Sequence, residues 1–408
     1  MDSLDRFRGL LRIQTISSLG PLNGSYADAV ELLSSWMSEI GMTDIHITEF
    51  HSKKPVLVGS WVGSEPSLSA VLLNGHYDVV PVDESGWCVP PFAAEARNDA
   101  KIICRGTQDM KSVVVQYLEA LRQLKESGWR PRRTIHVSLV PDEEVGGHHG
   151  AALFVQSGVF KKLNIGIALD EGLANPKNKF SLFYGERASN WVILRTRGPA
   201  GHGSRFVKDT AIEKMVRILG RIYSTRSEGQ HKCHHENVKL GDLLSMNVTA
   251  MRAGVPSSVL KGGFAVNVIP TEAEIAIDIR VPLSVTDIER VIRDEWIKDE
   301  QDVEIDYADQ NDHPSPDLLA YPLESDKWVK ALLDGVRDSD LGVDTCLEVF
   351  PAGTDSRYIR RAGIPCIGFS PIRNTPILLH DHNEFITEEG FLEGIKVYVQ
   401  VIQSLSNV

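Results

Sequence analysis

The sequence predicts an α/β protein, a mixed sheet covered by helices, with a smaller α+β domain inserted into it. Short apolar runs at 70–73, 101–104, 134–140 and 165–169 alternate with stretches of helical spacing, the pattern of a sheet with covered faces. Near residue 188 the pattern changes to alternating strands around one helix, and after about 309 the first pattern returns. The expected domains are therefore 1–187 with 309–408, and an insert at 188–308. A chain of 408 residues is long enough for two cores.

Residues 4–13 and 27–40 carry apolar side chains at helical spacing, the second through Val30, Leu33, Trp36, Met37 and Ile40, with Gly41 placed to stop it. The strand at 70–73 leads into Asn-Gly-His. A short strand at 101–104 precedes a helix at 110–125, with Val113, Tyr117, Leu121 and Leu124 on one face. Strands follow at 134–140 and 165–169. In the insert, 191–196, 245–250 and 274–281 alternate like half-buried strands. Between the first two lies an amphipathic helix, 209–222, with Asp209 as N-cap and Ile212, Met215, Val216 and Leu219 inward. This is a βαββ set with its own small core. The polar, His-rich stretch 225–239 is expected as a long loop. A strand at 366–369 and a helix at 391–402 complete the first domain.

The formal net charge is -12 and basic residues form no block, which argues against a nucleic-acid partner. No apolar run approaches the roughly 20 residues of a membrane span, and residues 1–17 lack the apolar core of a secretory signal. The five cysteines, Cys88, Cys104, Cys233, Cys346 and Cys366, are scattered, odd in number and without CxxC spacing. They fit a reducing compartment, so a cytoplasmic protein is expected.

Acids and imidazoles follow the apolar strands. His76 and Asp78 come after 70–73, Asp109 after 101–104, Glu143 and Glu144 after 134–140, and Asp170 and Glu171 after 165–169. Near the C-terminus, Leu378-Leu379 precedes His380-Asp381-His382-Asn383-Glu384. Open α/β sheets bind ligands at the carboxyl ends of their strands. Adjacent buried carboxylates such as Glu143 and Glu144 need a positive partner, and imidazole with carboxylate but no thiolate suits zinc. Two zinc ions about 3.5–4 Å apart form a hydrolytic clamp. The reading places His76, Asp109 and Glu171 on one ion, and Asp109, Glu144 and His380 on the other. Asp78 shares a face with His76 and is expected to accept its second imidazole N–H. Glu143 is then free to take a proton from the attacking water and pass it to the leaving amine.

The strings Asn-Gly-His76-Tyr-Asp78-Val-Val-Pro, Gly106-Thr-Gln-Asp109-Met-Lys, Pro-Asp-Glu143-Glu144-Val-Gly-Gly and His380-Asp-His-Asn-Glu resemble the M20 metallopeptidase family. Leu169-Asp170-Glu171-Gly172-Leu-Ala-Asn-Pro, Tyr184-Gly-Glu186-Arg187, Gly201-His202-Gly-Ser-Arg205-Phe and Gly368-Phe-Ser-Pro371 are similar to its aminoacylase branch. The resemblance spans almost the whole chain. It implies a zinc-peptidase-like catalytic domain with two Zn2+ per subunit, an inserted dimerisation or lid domain at 188–308, and a homodimer. It selects His380 over His382 and Glu171 over Asp170.

By the same resemblance, His202 stabilises the oxyanion in the other subunit's active site, and Asn267 and Arg280 grip the substrate's carboxylate. Arg357 is a second candidate for that grip, and the Gly353-Thr354 turn a source of backbone N–H groups. An ion pair with a nearby Asp is an equal alternative for either arginine. The implied reaction is zinc-dependent hydrolysis of small-molecule N-acyl-L-amino acids. A dipeptidase or carboxypeptidase of the same fold is the alternative, and a non-catalytic relative would be marked by loss of a ligand or the base, all of which are present. His148 and His149 are expected near the site without ligating. The cluster His231, Cys233, His234 and His235 is expected not to hold a metal, since short His/Cys tracts are suggestive by composition alone. Trp87 to Phe92 departs from the family, which usually carries Asp before Pro-Phe.

Overall fold

The computed structural model describes residues 2–96, 100–258, 262–308 and 326–408. Two compact units emerge: Met1–Tyr184 with Tyr321–Glu348 and Thr354–Val408, and Gly185–Ala320 with Val349–Gly353. The expected return to the first domain near residue 309 lies outside the described residues. Val349–Gly353, read from sequence as part of the first domain, groups with the second unit.

The first unit is built on an eight-stranded mixed sheet in the order Thr43–His51, Lys54–Trp61, Ile135–Val140, Ala70–His76, Ile165–Asp170, Cys366–Phe369, Lys179–Glu186, Asp344–Phe350. Ala70–His76 runs parallel to both of its neighbours, and Cys366–Phe369 runs parallel to Ile165–Asp170. The central strands are buried on both faces, which is why they read as continuous apolar runs. Val71 and Leu73 face one core with the helices Ser25–Ile40, Lys111–Glu126, Lys327–Asp338 and Glu388–Ser406. Leu72 faces the opposite core with Ala151–Gln156, Gly158–Lys162 and Ser356–Arg361. The helix predicted at 27–40 is Ser25–Ile40, and it ends where Gly41 adopts a left-handed conformation (φ 79°).

The expected strand at 101–104 is a correction. Lys101–Ile103 does not join the main sheet but pairs with Phe385–Thr387 and Glu95–Ala96 in a separate antiparallel sheet.

The second unit is a four-stranded antiparallel sheet in the order Ser245–Ala253, Glu272–Val281, Ala188–Arg197, Val303–Tyr307. Ala273, Ile275, Ile277, Ile279 and Val281 alternate onto the covered face. The last strand was not foreseen, nor was the helical stretch Ile288–Val291 with Ile292–Trp296.

The helix of this unit corrects three expectations. Its N-cap is Thr210, not Asp209, because Thr210 and Glu213 form a reciprocal capping box ahead of Ala211. It runs to His235, through the stretch read as a loop. Extending a nucleated helix is cheap, residues 223–235 contain no proline, and Lys232, His234 and His235 complement the C-terminal dipole. Its buried face is Ala211, Met215, Ile218 and Ile222, while Ile212 and Val216 point outward. Two apolar stripes lie side by side on this helix, and periodicity alone does not say which meets the sheet.

Phe391 stacks on Phe7 with ring centroids 4.3 Å apart, and both are fully buried. Phe391→Ala should destabilise the first unit by about 3–5 kcal/mol. The expected readout is a lower urea midpoint at unchanged slope; an unshifted midpoint would contradict this packing.

Candidate metal centre

Three parallel strands end side by side at one sheet edge and present acids or imidazole there. His76 is the last residue of Ala70–His76. Glu143 and Glu144 open the 3-10 turn Glu143–Val145 after Ile135–Val140, and Glu171 directly follows Ile165–Asp170. Asp109 arrives differently, from the loop before helix Lys111–Glu126, and His380 from the loop before Phe385–Thr387. Pairing of Lys101–Ile103 with Phe385–Thr387 brings those two loops together. His380 and Asp142 take left-handed backbone conformations (φ 61° and 65°), which Asp and His accept more readily than most residues.

His76 Nε2 lies 2.9 Å from Asp109 Oδ1 and 3.7 Å from Glu171 Oε2. His380 Nε2 lies 3.4 Å from Asp109 Oδ2 and 2.9 Å from Glu144 Oε2. Asp109 therefore turns one oxygen to each imidazole. Ligand atoms of His76, Asp109 and Glu144 fall within 4.8 Å of one another, as do those of His76, Glu143 and Glu171. Among the described residues these are the groups of His, Cys, Asp and Glu that could hold an ion, and residues 231–235 form none.

His76 Nδ1 is 3.0 Å from the Asp78 backbone carbonyl and 3.5 Å from its carboxylate. The main chain of Asp78, more than the side chain expected to do so, thus orients the ring and leaves Nε2 toward the carboxylates. The Asp78 carboxylate also accepts from the backbone N–H of Glu143 (3.2 Å) and Glu144 (3.3 Å) and from the Ser17 hydroxyl (2.8 Å).

The electrostatics ask for cations. Burial, then the charge of Asp109, pushes Glu144 up to about 7. Burial and Glu171 push Glu143 well above the carboxylate range, and burial and Asp109 do the same to Glu171. Although burial opposes its charge, the imidazoles of His380 and His76 hold Asp109 far below that range. Hydrogen bonds to Asp109 and Glu144 raise His380 to about 10. His76 is raised too, its bonds to Asp109, Asp78 and Glu171 outweighing its burial. Glu144 Oε1 is buried and has no hydrogen-bond partner among the described residues. Imidazoles and carboxylates without thiolate, one carboxylate facing both ways and one oxygen orphaned, fit a pair of divalent ions.

Asp170, weighed as a ligand, is turned away: it accepts from Asn74 Nδ2 (3.1 Å) and Ser356 Oγ (2.7 Å). His382 packs against Gly86, where a Cβ would approach its ring to 2.3 Å. His149 stacks on His51 at 4.0 Å. Arg357 donates to the Gly146 carbonyl (2.7 Å), and Thr354 is buried.

Gly353, His202, Asn267 and Arg280 belong to the second unit. There His202 pairs with Val268, and Gly203 N–H donates to the Asn267 carbonyl (2.8 Å), so His202 and Asn267 are brought together. Arg280 forks onto Asp278 (2.8 and 3.0 Å), the ion-pair alternative left open above, and donates to Ser189 Oγ (2.6 Å). With Arg187, Arg226 and Asn247 it lines a cavity of about 410 Å³. Ser17, Ser356 and Glu384, which support the site, were not foreseen; hydroxyl residues and a motif-final Glu carry no ligand signal of their own.

These shifts fix the sign of a pH dependence in the metal-free protein. Glu144 titrates at about 7 when folded against an ordinary 4.5, so its contribution is full below 4.5 and lost as pH rises through 7. The contribution of His380 is full below 6.5 and lost as pH rises through about 10. Asp109 acts oppositely, losing its contribution only in acid below 3.8. The metal-free thermal midpoint should therefore fall from about pH 5 to about pH 10, and metal uptake should release protons. Scanning fluorimetry with and without zinc tests this; a metal-free midpoint that rises over that range contradicts it.

Residues 72–404 match the model of peptidase family M20/M25/M40. The chain is 44% identical over 365 residues to aminoacylase-1 of Dictyostelium discoideum, covering 87% of this chain and 86% of that one. It is 39% identical over 410 residues to aminoacylase-1 of Mus musculus, covering 100% and 96%. Its fold is similar to that of an M20 family metallo-carboxypeptidase from Sulfolobus solfataricus, with a TM-score of 0.71 at 17% identity over the full length of both chains. A match this long, laid over a sheet edge that gathers His76, Asp109, Glu144 and Glu171, places the chain in the M20 family of metallohydrolases.

Proposed function

We propose that the chain is an amidohydrolase that cleaves N-acyl-L-amino acids to a carboxylate and a free L-amino acid. The observation that carries this reading is Asp109, turned between His76 and His380 with Glu143 beside them. Full-length similarity to aminoacylases supports the substrate class. The donor set favours zinc. One ion would be held by His76, Asp109 and Glu171 and a second by Asp109, Glu144 and His380; when bound they supply Lewis-acid polarisation and an acidified water.

The chain's own groups do the rest. Glu143 takes a proton from the attacking water and gives it to the leaving amine nitrogen. Its carboxylate lies within 4.8 Å of ligand atoms of His76 and Glu171, within reach of a water held there. Asp78 holds the turn that aims Glu143 and Glu144. His202 bonds Ser204 Oγ through Nδ1 (2.7 Å), which leaves Nε2 to donate to a developing oxyanion, in our reading that of a second protomer. Arg280 and Asn267, with Arg357 and the Gly353-Thr354 turn, are the proposed holders of the substrate carboxylate.

Ile212, Val216 and Tyr223 form an exposed stripe on helix Ala211–His235, and this supports a homodimer through the second unit. Five free cysteines support a cytoplasmic setting. Among the described residues no helix is long and apolar enough to cross a membrane, and the net charge of -12 speaks against nucleic acid.

The test is release of methionine from N-acetyl-L-methionine, abolished by a chelator and restored by zinc. Cleavage of dipeptides instead would move the assignment to a peptidase of this fold. Glu143→Gln should lower kcat by about 10²–10⁴-fold with little change in KM; near-full turnover would remove Glu143 as the base. His202→Ala should lower kcat by about 10²–10³-fold, and intact activity would end its oxyanion role.

A further inference from the structure

Glu384 is fully buried in the loop that carries His380, and its carboxylate is committed to a second loop. Oε2 accepts from Arg105 Nη1 (2.8 Å) and Gly106 N–H (3.1 Å). Oε1 accepts from Gln108 N–H (2.6 Å) and Asp109 N–H (3.3 Å), with Thr107 Oγ1, which also bonds the Cys104 carbonyl (2.8 Å), 3.3 Å away. A carboxylate has about four lone-pair sites, so none remains for an ion, and Glu384 is no ligand. The same two loops are joined again by Gln108, whose Nε2 donates to the Phe385 carbonyl (2.9 Å) and whose Oε1 accepts from Leu378 N–H (3.0 Å).

We propose that Glu384 is a positioning residue that sets the separation of Asp109 from His380, and so governs one of the two metal positions more than the other. The inference rests on the ligand sets proposed above. The Asp109, Glu144 and His380 set takes two of its three members from the loops that Glu384 joins. The His76, Asp109 and Glu171 set takes one, its other two standing at the ends of parallel strands held by their ladder. In Glu384→Gln an amide N–H₂ must face either the Arg105 and Gly106 donors or the Gln108 and Asp109 N–H groups. Either orientation sets donor against donor and loosens the loop.

The test is zinc titration of the metal-free full-length chain by calorimetry, together with the metal-free thermal midpoint and the steady-state constants. The wild type should take up two equivalents. Glu384→Gln should bind one of them about 10- to 100-fold more weakly and the other with clearly less change. At limiting zinc its kcat should fall while KM holds, with partial recovery in excess zinc. Arg105→Gln, which removes the charged donor to Oε2, should weaken the same equivalent to a smaller degree, and carries the test if Glu384→Gln fails to fold. Equal weakening of both equivalents, or none in either variant, overturns the inference. A wild type that takes up fewer than two equivalents instead overturns the ligand sets beneath it.

Discussion

Like-charge repulsion at the carboxyl edge of the central sheet is the constraint on which the first unit depends. Parallel strands end there side by side, and each delivers a carboxylate or imidazole within 4.8 Å of another. Burial and like charge raise the proton affinity of Glu143, Glu144 and Glu171, neighbouring carboxylates raise that of both imidazoles, and the imidazoles lower that of Asp109. Such a site is costly to fold around, which explains the investment in its surroundings. Asp78, Asp170 and Glu384 are buried acids whose oxygens are occupied by N–H and O–H donors. They position the inner residues and offer nothing to an ion.

Much of this was legible in the sequence. Apolar runs marked the parallel strands, because a strand buried on both faces must be apolar throughout. The residues just after those runs were the right ones to examine, since the strand ladder fixes where they emerge. The reading failed where location depends on pairing partners. Lys101–Ile103 looks like any other short apolar strand, yet its partner is Phe385–Thr387, more than 280 residues away and silent in the local pattern. Asp78 was read through its carboxylate, whereas its backbone carbonyl does most to orient His76, and no side-chain pattern encodes that.

The second unit was legible in kind but not in extent. Alternation revealed its strands because only one face is covered. Amphipathicity does not reveal the last three turns of the long helix, because no residue after Ile222 is fully buried in it. Thr210 and Glu213 carry the capping-box spacing in the sequence, and the neighbouring Asp209, with a φ of 55°, is excluded from the cap role.

The clamp of Asp78 on two consecutive N–H groups has a consequence for how variants combine. Glu143 and Glu144 have different proposed tasks, yet one carboxylate, itself steadied by Ser17, fixes the main chain of both. A change at Ser17 or Asp78 therefore reaches proton transfer and ion retention together, and its effect will not add to that of a change at Glu143.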